Sequence, residues 1–484
     1  MENVKIHIPK RLVPRLVFFV RSGSRGWGNY RHQADVYHAY HVLKRGGLSD
    51  SRIVVMHYDD IAHNPRNPRP GTVINIPGGD DVYAGVPKDY TGVDVTAEVF
   101  LAVLSGNRAG VEHTKGSRKV LTPNERDEVF LYFADHGGPG VLGMPNPPFL
   151  TAKDLVATLT KMAGGPPPTP GPIPPPPASP RTFKTMTVYV EACESGSVFD
   201  GLLERDLGIY VTTAANPTES SWGTYCPGQK RPPPPKYGTC LGDLYSVAFL
   251  ENSDEVDLRK ESLLAQYRAV RRRVSNNHTY QEGSHVMRYG DRDIDNQEAS
   301  DFLGRGNKGG FTPETIVDRY DAGYHQSDAA NQDADDVRVH QRDAELIPLW
   351  HDVMHAVSAE ARRAASKRLR AELDAREALD TSVLAAATAA AAATAATTLK
   401  TKTSGAAGNF SDVLHAVRPA GEPLTDDWDC FKAMFGAWAE SCGYLSQYGM
   451  KHGRVFANMC NLGVTPKDFT AAAAASCKPA LATA

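Results

Sequence analysis

Several things that would narrow the function of this chain quickly are missing from it. Charge of one sign is not in excess. A net charge of −3 over 484 residues gives no electrostatic case for nucleic acid or an anionic membrane surface. No two cysteines stand as CxxC, so spacing alone does not support a zinc site. No apolar run approaches the ~18 residues that a bilayer span needs. LVFFV (16–20) falls short of a signal-peptide core of roughly 7–15 residues and reads instead as a first strand. As written, then, the chain shows no targeting segment, which fits either a cytosolic protein or an incomplete N-terminus.

What is present suits a globular protein of two or three domains: 41% hydrophobic residues and 23% charged. The seven cysteines are Cys193, Cys226, Cys240, Cys430, Cys442, Cys460 and Cys477. Their odd number leaves at least one unpaired. The simplest arrangement is three disulfides with Cys193 free, and Cys226 and Cys240 flank a Pro-rich loop as a clip would. Disulfides imply an oxidising compartment, which conflicts with the missing targeting segment.

The first 290 residues alternate β-rich runs with helix-like ones. Strands are expected at 15–20, 52–58, 128–135, 185–192 and 208–215, mostly apolar on both faces as in a covered parallel sheet. Helical periodicity occupies 35–47, 94–106, 151–165 and 258–274. This alternation predicts an α/β domain with a mainly parallel sheet flanked by helices. Residues 164–180 and 231–235 are polyproline, and the stretch around 386–398 is Ala-rich. All three read as surface spacers. Residues 292–343 are rich in Asp, Asn, Gln and Gly and read as a linker. From 344 to 484 the chain reads as helices only, a bundle held by disulfides.

Two strand ends carry chemistry. The run ending Ala134-Asp135 leads straight into His136-Gly137-Gly138, and the run ending Glu191-Ala192 leads straight into Cys193. A parallel sheet gathers the carboxyl ends of its strands on one edge, where catalytic groups collect. If the two strands are neighbours, an imidazole faces a thiol. The histidine can lower the thiol pKa and later protonate a leaving amine, and the amides of Gly137 and Cys193 can hold an oxyanion. A buried cysteine beside an unrelated histidine is the plain alternative. The repeated layout at two strand ends favours a cysteine hydrolase.

These motifs resemble those of the legumain family, the asparaginyl endopeptidases or vacuolar processing enzymes related to caspases. The resemblance rests on HGG and EACESG, on GSRGWGNYRHQADVYHAY (23–40), YFADHGGPGVLGMP (132–145), TTAANPTESSWGTYC (212–226), CLGDLYSVAFLENSD (240–254), GSHVMRYGD (283–291) and CGYLSQYGMKHGRVFANMCNLG (442–463). It implies a caspase-like peptidase domain over 12–291, an activation segment over 292–343 and a helical prodomain with an Ala-rich insert over 344–484. Cys193 is then the nucleophile and His136 its partner, with Asn29 orienting the histidine and Gly137 at the oxyanion. Arg31, His32, Glu191, Ser220 and Asp243 fall on the pocket for the substrate side chain. Such a set suits a carboxamide: Arg31 donates to its oxygen while Glu191 and Asp243 accept from its nitrogen. Aspartate, which would clash with the carboxylates near neutrality, should be admitted better in acid.

The resemblance further implies the pairings Cys226–Cys240, Cys430–Cys460 and Cys442–Cys477. It implies peptide substrates cleaved after Asn, the prodomain as inhibitor, self-cleavage in acid at Asn331 or nearby aspartates, a dimeric zymogen, and a vacuolar or secretory location. It implies no cofactor, metal, nucleic acid or membrane span. Asn277 and Asn409 begin glycosylation sequons. Three alternatives remain: a peptide asparaginyl ligase using the same acyl-enzyme, the catalytic subunit of a glycolipid-anchor transamidase, and a non-catalytic protein-binding module.

Overall fold

The computed structural model describes residues 16–22, 24–165, 180–305, 338–399 and 410–477. The polyproline run from 166 to 179, Asn331 and Asn409 lie outside the described residues. The chain begins with β1 (Leu16–Ser22), α1 (Tyr30–Arg45), β2 (Ile53–Met56) and α2 (Ala97–Leu104). It continues with β3 (Glu128–Ala134), α3 (Ala152–Met162), β4 (Thr185–Glu191) and β5 (Ile209–Thr213). Two short strands follow, β6 (Trp222–Thr224) and β7 (Gly242–Asp243), then α4 (Leu244–Glu255), α5 (Leu263–Val274) and β8 (Met287–Gly290).

The main sheet has the order β8-β5-β4-β3-β1-β2. All its pairings are parallel except that of β8 with β5. The expected strands thus form, and β8 adds an antiparallel edge. Side chains of β3 and β4 are buried along nearly their whole length because helices cover both faces. One face packs α1, α4 and α5; the other packs α2, α3 and the C-terminal helices.

The segment read as linker is not all spacer. Its start forms a 3-10 turn (Arg292–Asn296) and a short helix (Ser300–Leu303) whose Phe302 and Leu303 are buried against the domain. Its end forms β9 (Val339–His340), which pairs antiparallel with β6. The C-terminal region then runs as α6 (Leu346–Met354), α7 (Ala359–Leu399), α8 (Trp428–Cys442), α9 (Gly453–Asn461) and α10 (Pro466–Ser476).

The Ala-rich stretch is no surface spacer either. It is the second half of α7, where Val383, Ala386, Ala387, Ala390 and Ala391 are buried at helical spacing. By length and composition an 18-residue window within Ala359–Ala396 would pass for a membrane span, with mean hydropathy 1.3. Alanine is both a strong helix former and small enough for close helix packing, and this helix is partly buried against its neighbours. Cys226 pairs with Cys240, Cys430 with Cys460, and Cys442 with Cys477, leaving Cys193 as the free thiol.

Candidate active site

Strand register brings the two reactive residues to the same edge of the sheet. Ala134 on β3 pairs with Glu191 on β4, so His136 and Cys193 each lie two residues beyond a matched strand end. Asp135 N then donates to Glu191 O at 3.1 Å, extending the pairing by one residue. Immediately after Cys193, Glu194 takes a left-handed φ of 45°, which turns the chain sharply off the strand. Gly137 lies against the backbone of Cys193. A Cβ at that position would sit 2.2 Å from Cys193 O, so only glycine fits.

Asn29 sits at the N-terminus of α1 but does not use its side chain as a cap. Its Oδ1 instead lies 2.7 Å from His136 Nε2. That contact fixes the ring and leaves Nδ1 buried and without a hydrogen-bond partner among the described residues. Cys193 Sγ lies 2.9 Å from Ser220 Oγ and donates to Gln341 Oε1 at 3.0 Å. Burial pushes the Cys193 thiol up, which the charge of Arg342 only partly opposes. The sulfur is therefore held as a neutral thiol in this state.

Beside the sulfur lies a charged pocket. Arg31 and Asp243 are wholly buried and joined by Nε donating to Oδ1 at 2.9 Å. The other Asp243 oxygen is 2.8 Å from His32 Nδ1. Burial and the Arg31 charge push His32 down to about 4, so its ring is neutral near pH 7. Burial would raise Asp243, but His32 and Arg31 hold it down to about 2. Glu191 accepts from Ser246 N and Oγ at 3.0 and 3.1 Å, and burial beside Asp243 drives its carboxyl upward. The pocket thus holds one fixed cation, one carboxylate and a neighbouring carboxyl that resists ionisation.

The cleft is occupied by the chain itself. After β9, Gln341 N donates to Ser221 O at 3.1 Å, continuing the added strand. Gln341 O accepts from Arg31 Nη2 at 3.3 Å, and its side-chain Nε2 donates to Asp135 O at 3.2 Å. Arg342 forms a buried ion pair with Glu194 at 2.5 Å and donates to Gly137 O. Glu345 accepts from Asn29 Nδ2 at 2.6 Å and lies 3.7 Å from His136 Nε2. Arg376 on α7 holds this segment in place by donating to Arg342 O at 2.9 Å and lying 3.6 Å from Glu345.

A thiol and an imidazole at two parallel strand ends, covered by a helical C-terminal region, agree with what comparison of the whole sequence finds. The model of the Peptidase C13 family matches residues 17–305, and that of the legumain prodomain matches residues 367–477. The chain belongs to the Peptidase C13 family. It is 46% identical over 460 residues to the vacuolar-processing enzyme beta-isozyme of Arabidopsis thaliana, covering 94% of this chain and 85% of that protein. It is 44% identical to the legumain of Canavalia ensiformis, covering 94% and 87%. Among solved structures it matches the caspase-1 of Spodoptera frugiperda at 11% identity and a TM-score of 0.33, over 61% of this chain and 92% of that one. As a C13 peptidase the chain is a cysteine endopeptidase that carries its own prodomain.

Every residue the sequence singled out for the C13 site lies in this one region. Sequence reading missed the residues that the prodomain side supplies: Gln341, Arg342, Glu345 and Arg376. Gln341 and Arg342 sit in a polar stretch without periodicity, Glu345 and Arg376 in the region read as helices, and only the fold brings the four to the cleft. It also missed Asp35, for which a signal existed. Arg31, Asp35 and His38 follow one another at spacings of four and three, a buried charged stripe on α1.

Proposed function

We propose that this C13 peptidase cleaves peptide bonds after asparagine and is made as a zymogen that acid opens. His136 Nδ1 takes the Cys193 proton as Sγ attacks the scissile carbonyl carbon. The amide of Gly137 steadies the oxyanion, and the same imidazole returns its proton to the leaving amine. A water then hydrolyses the thioester, with His136 acting as base, and the thiol is regenerated. Asn29 keeps the ring in register throughout. In the pocket, Arg31 Nη2 donates to a backbone carbonyl of the prodomain segment, and the oxygen of a substrate carboxamide can take that place once the segment leaves. Asp243 and Glu191 supply acceptors for its NH2. The observation that carries this reading is the His136 ring, bound by Asn29 through Nε2 with Nδ1 unused, beside a free Cys193 and a buried Arg31–Asp243 pair.

Acid weakens the closed state through groups at the cleft. Burial and the Arg342 charge lower the basicity of His340, so docking holds it neutral. Its ordinary value is 6.5, and docking therefore loses stability as pH falls below that. Burial alone would raise Glu345, but His136, Asn29 and Arg376 hold it down to about 2. Its contribution is full above its ordinary 4.5 and is lost as pH falls from there toward 2. The relatives' names place them in vacuoles, an acidic location that suits such a device and that we assign to this protein as well.

The test is turnover of an Ala-Ala-Asn fluorogenic peptide by the whole chain at about pH 4.5, the middle of the window those two groups define. The reading predicts turnover that is lost in Cys193→Ala. Turnover that survives this substitution would contradict it, and so would preference for an apolar residue in place of Asn. An added amine nucleophile reports the ligase alternative as a joined product.

A further inference from the structure

The pocket contains a third buried carboxyl that the reading above does not use. Asp35 is fully buried on α1, four residues after Arg31. Its Oδ2 accepts from Asp243 N at 3.1 Å, and its Oδ1 accepts from Asn75 Nδ2 at 2.7 Å. The same Asn75 nitrogen donates to Leu241 O at 3.0 Å. With both amide hydrogens committed to acceptors, Asn75 Oδ1 faces His38 Nδ1 at 2.7 Å, so that nitrogen donates. His38 Nε2 lies 2.8 Å from Asp254 Oδ2, a carboxylate about one-third exposed that also binds Arg45. A continuous chain of hydrogen bonds thus runs from the specificity pocket to the surface through Asp35, Asn75, His38 and Asp254.

We propose that Asp35, by holding the Asp243 backbone and closing this chain, is a positioning residue that sets the pH range over which the pocket accepts an acidic side chain beside an amide. The inference rests on the Asn-cleaving reading. The groups that act on Asp35 are Asp243 from β7, Asn75 from its loop, Glu191 from β4 and Tyr132 from β3; Arg31 and His32 on α1 bind Asp243, and His38 on α1 binds Asn75. Burial, then the nearby Asp243, resists ionisation of Asp35. While Asp35 and Glu191 keep their protons, Arg31 and Asp243 balance and the pocket is neutral. Each proton lost above that adds one negative charge, which a carboxamide tolerates and a substrate carboxylate does not. Asp35→Asn removes one such charge and keeps the shape. His38→Gln loosens Asn75, whose hydrogen bond favours the ionised form of Asp35, and acts in the same direction.

The experiment measures kcat/KM for matched Ala-Ala-Asn and Ala-Ala-Asp peptides across pH about 4 to 7 on the acid-processed wild type, Asp35→Asn and His38→Gln, with melting of each zymogen as the folding control. The pH at which the ratio of Asp to Asn cleavage falls should move upward in Asp35→Asn and by less in His38→Gln. A purely structural role would lower both substrates together and leave the pH profile of their ratio unmoved. Should Asp35→Asn fail to fold, the shift in His38→Gln decides the question. A wild type that cleaves after Asn while the ratio profile is unchanged in the folded variants overturns this inference alone. A wild type that never cleaves after Asn overturns it together with the reading on which it rests.

Discussion

At the residue scale, the site depends on groups excused from their usual local duties. Asn29 stands where an asparagine would ordinarily cap a helix, but it gives its oxygen to His136 instead. Asn29→Ala should therefore leave the melting temperature of the mature enzyme nearly unchanged while lowering kcat by about 10²-fold, the cost of a misplaced imidazole. A melting temperature that fell with activity intact would refute that division of roles. Gly137→Ala should lose both fold stability and turnover, because the added carbon meets the Cys193 carbonyl at 2.2 Å and neither strand end can retreat from a paired sheet. His340→Gln removes the group whose protonation the closed state resists. Self-processing, followed by gel while pH is lowered, should then begin at a lower pH than in wild type. An earlier onset would contradict the sign worked out above.

At the scale of elements, the strands and the dyad were legible because each depends on local pattern. EVFLYFAD and TMTVYVEA are apolar on both faces, as a covered parallel sheet requires, and each breaks abruptly at a reactive residue. By contrast α4 was hidden. Its residues from Leu244 to Ser253 are buried all round, so no helical period marks it within CLGDLYSVAFLENSD (240–254). The Ala-rich half of α7 was mistaken for a spacer because alanine signals neither face, although the helix buries one. β9 was invisible for another reason: two residues of strand in a polar run form only because β6 offers an edge. The grip of α7 on this segment gives an expectation of its own. Arg376 is nearly buried, binds Arg342 O, Glu345 and Glu372, and stacks 4.6 Å from the ring of Tyr448. Arg376→Ala should release residues 341–345 and give peptide turnover by the full-length chain at neutral pH. It should weaken the closed state by about 3 kcal/mol, because buried acceptors lose their cation. A full-length variant as silent as wild type would count against that role.

At the scale of the whole molecule, the peptidase and its prodomain share one hydrophobic cluster. It runs from the sheet through α3 into Phe431, Trp438, Phe456 and Phe469. Backbone contacts are equally close: a carbon added at Gly138 would stand 2.2 Å from Met450 O. The prodomain is thus a packed cover rather than a tethered ball, and in the proposed reading the polar contacts at the cleft set when it lifts. Its own integrity depends partly on covalent links. Replacing Cys430 and Cys460 by Ala should cost about 3 kcal/mol and lower the melting temperature of the zymogen, while the acid-processed enzyme keeps its activity.

The account turns on a thiol that is competent for Asn-bearing substrates but shut off by the chain's own residues 338–345. The most direct measurement is mass spectrometry after treatment with an Ala-Ala-Asn chloromethyl ketone, before and after acidification. The prediction is no adduct on the intact chain at neutral pH, and a single adduct, mapped to the peptide holding Cys193, once the chain has been through acid. Labelling of Cys193 in the intact neutral chain would contradict the closure, and absence of the adduct after acid would contradict the assigned chemistry.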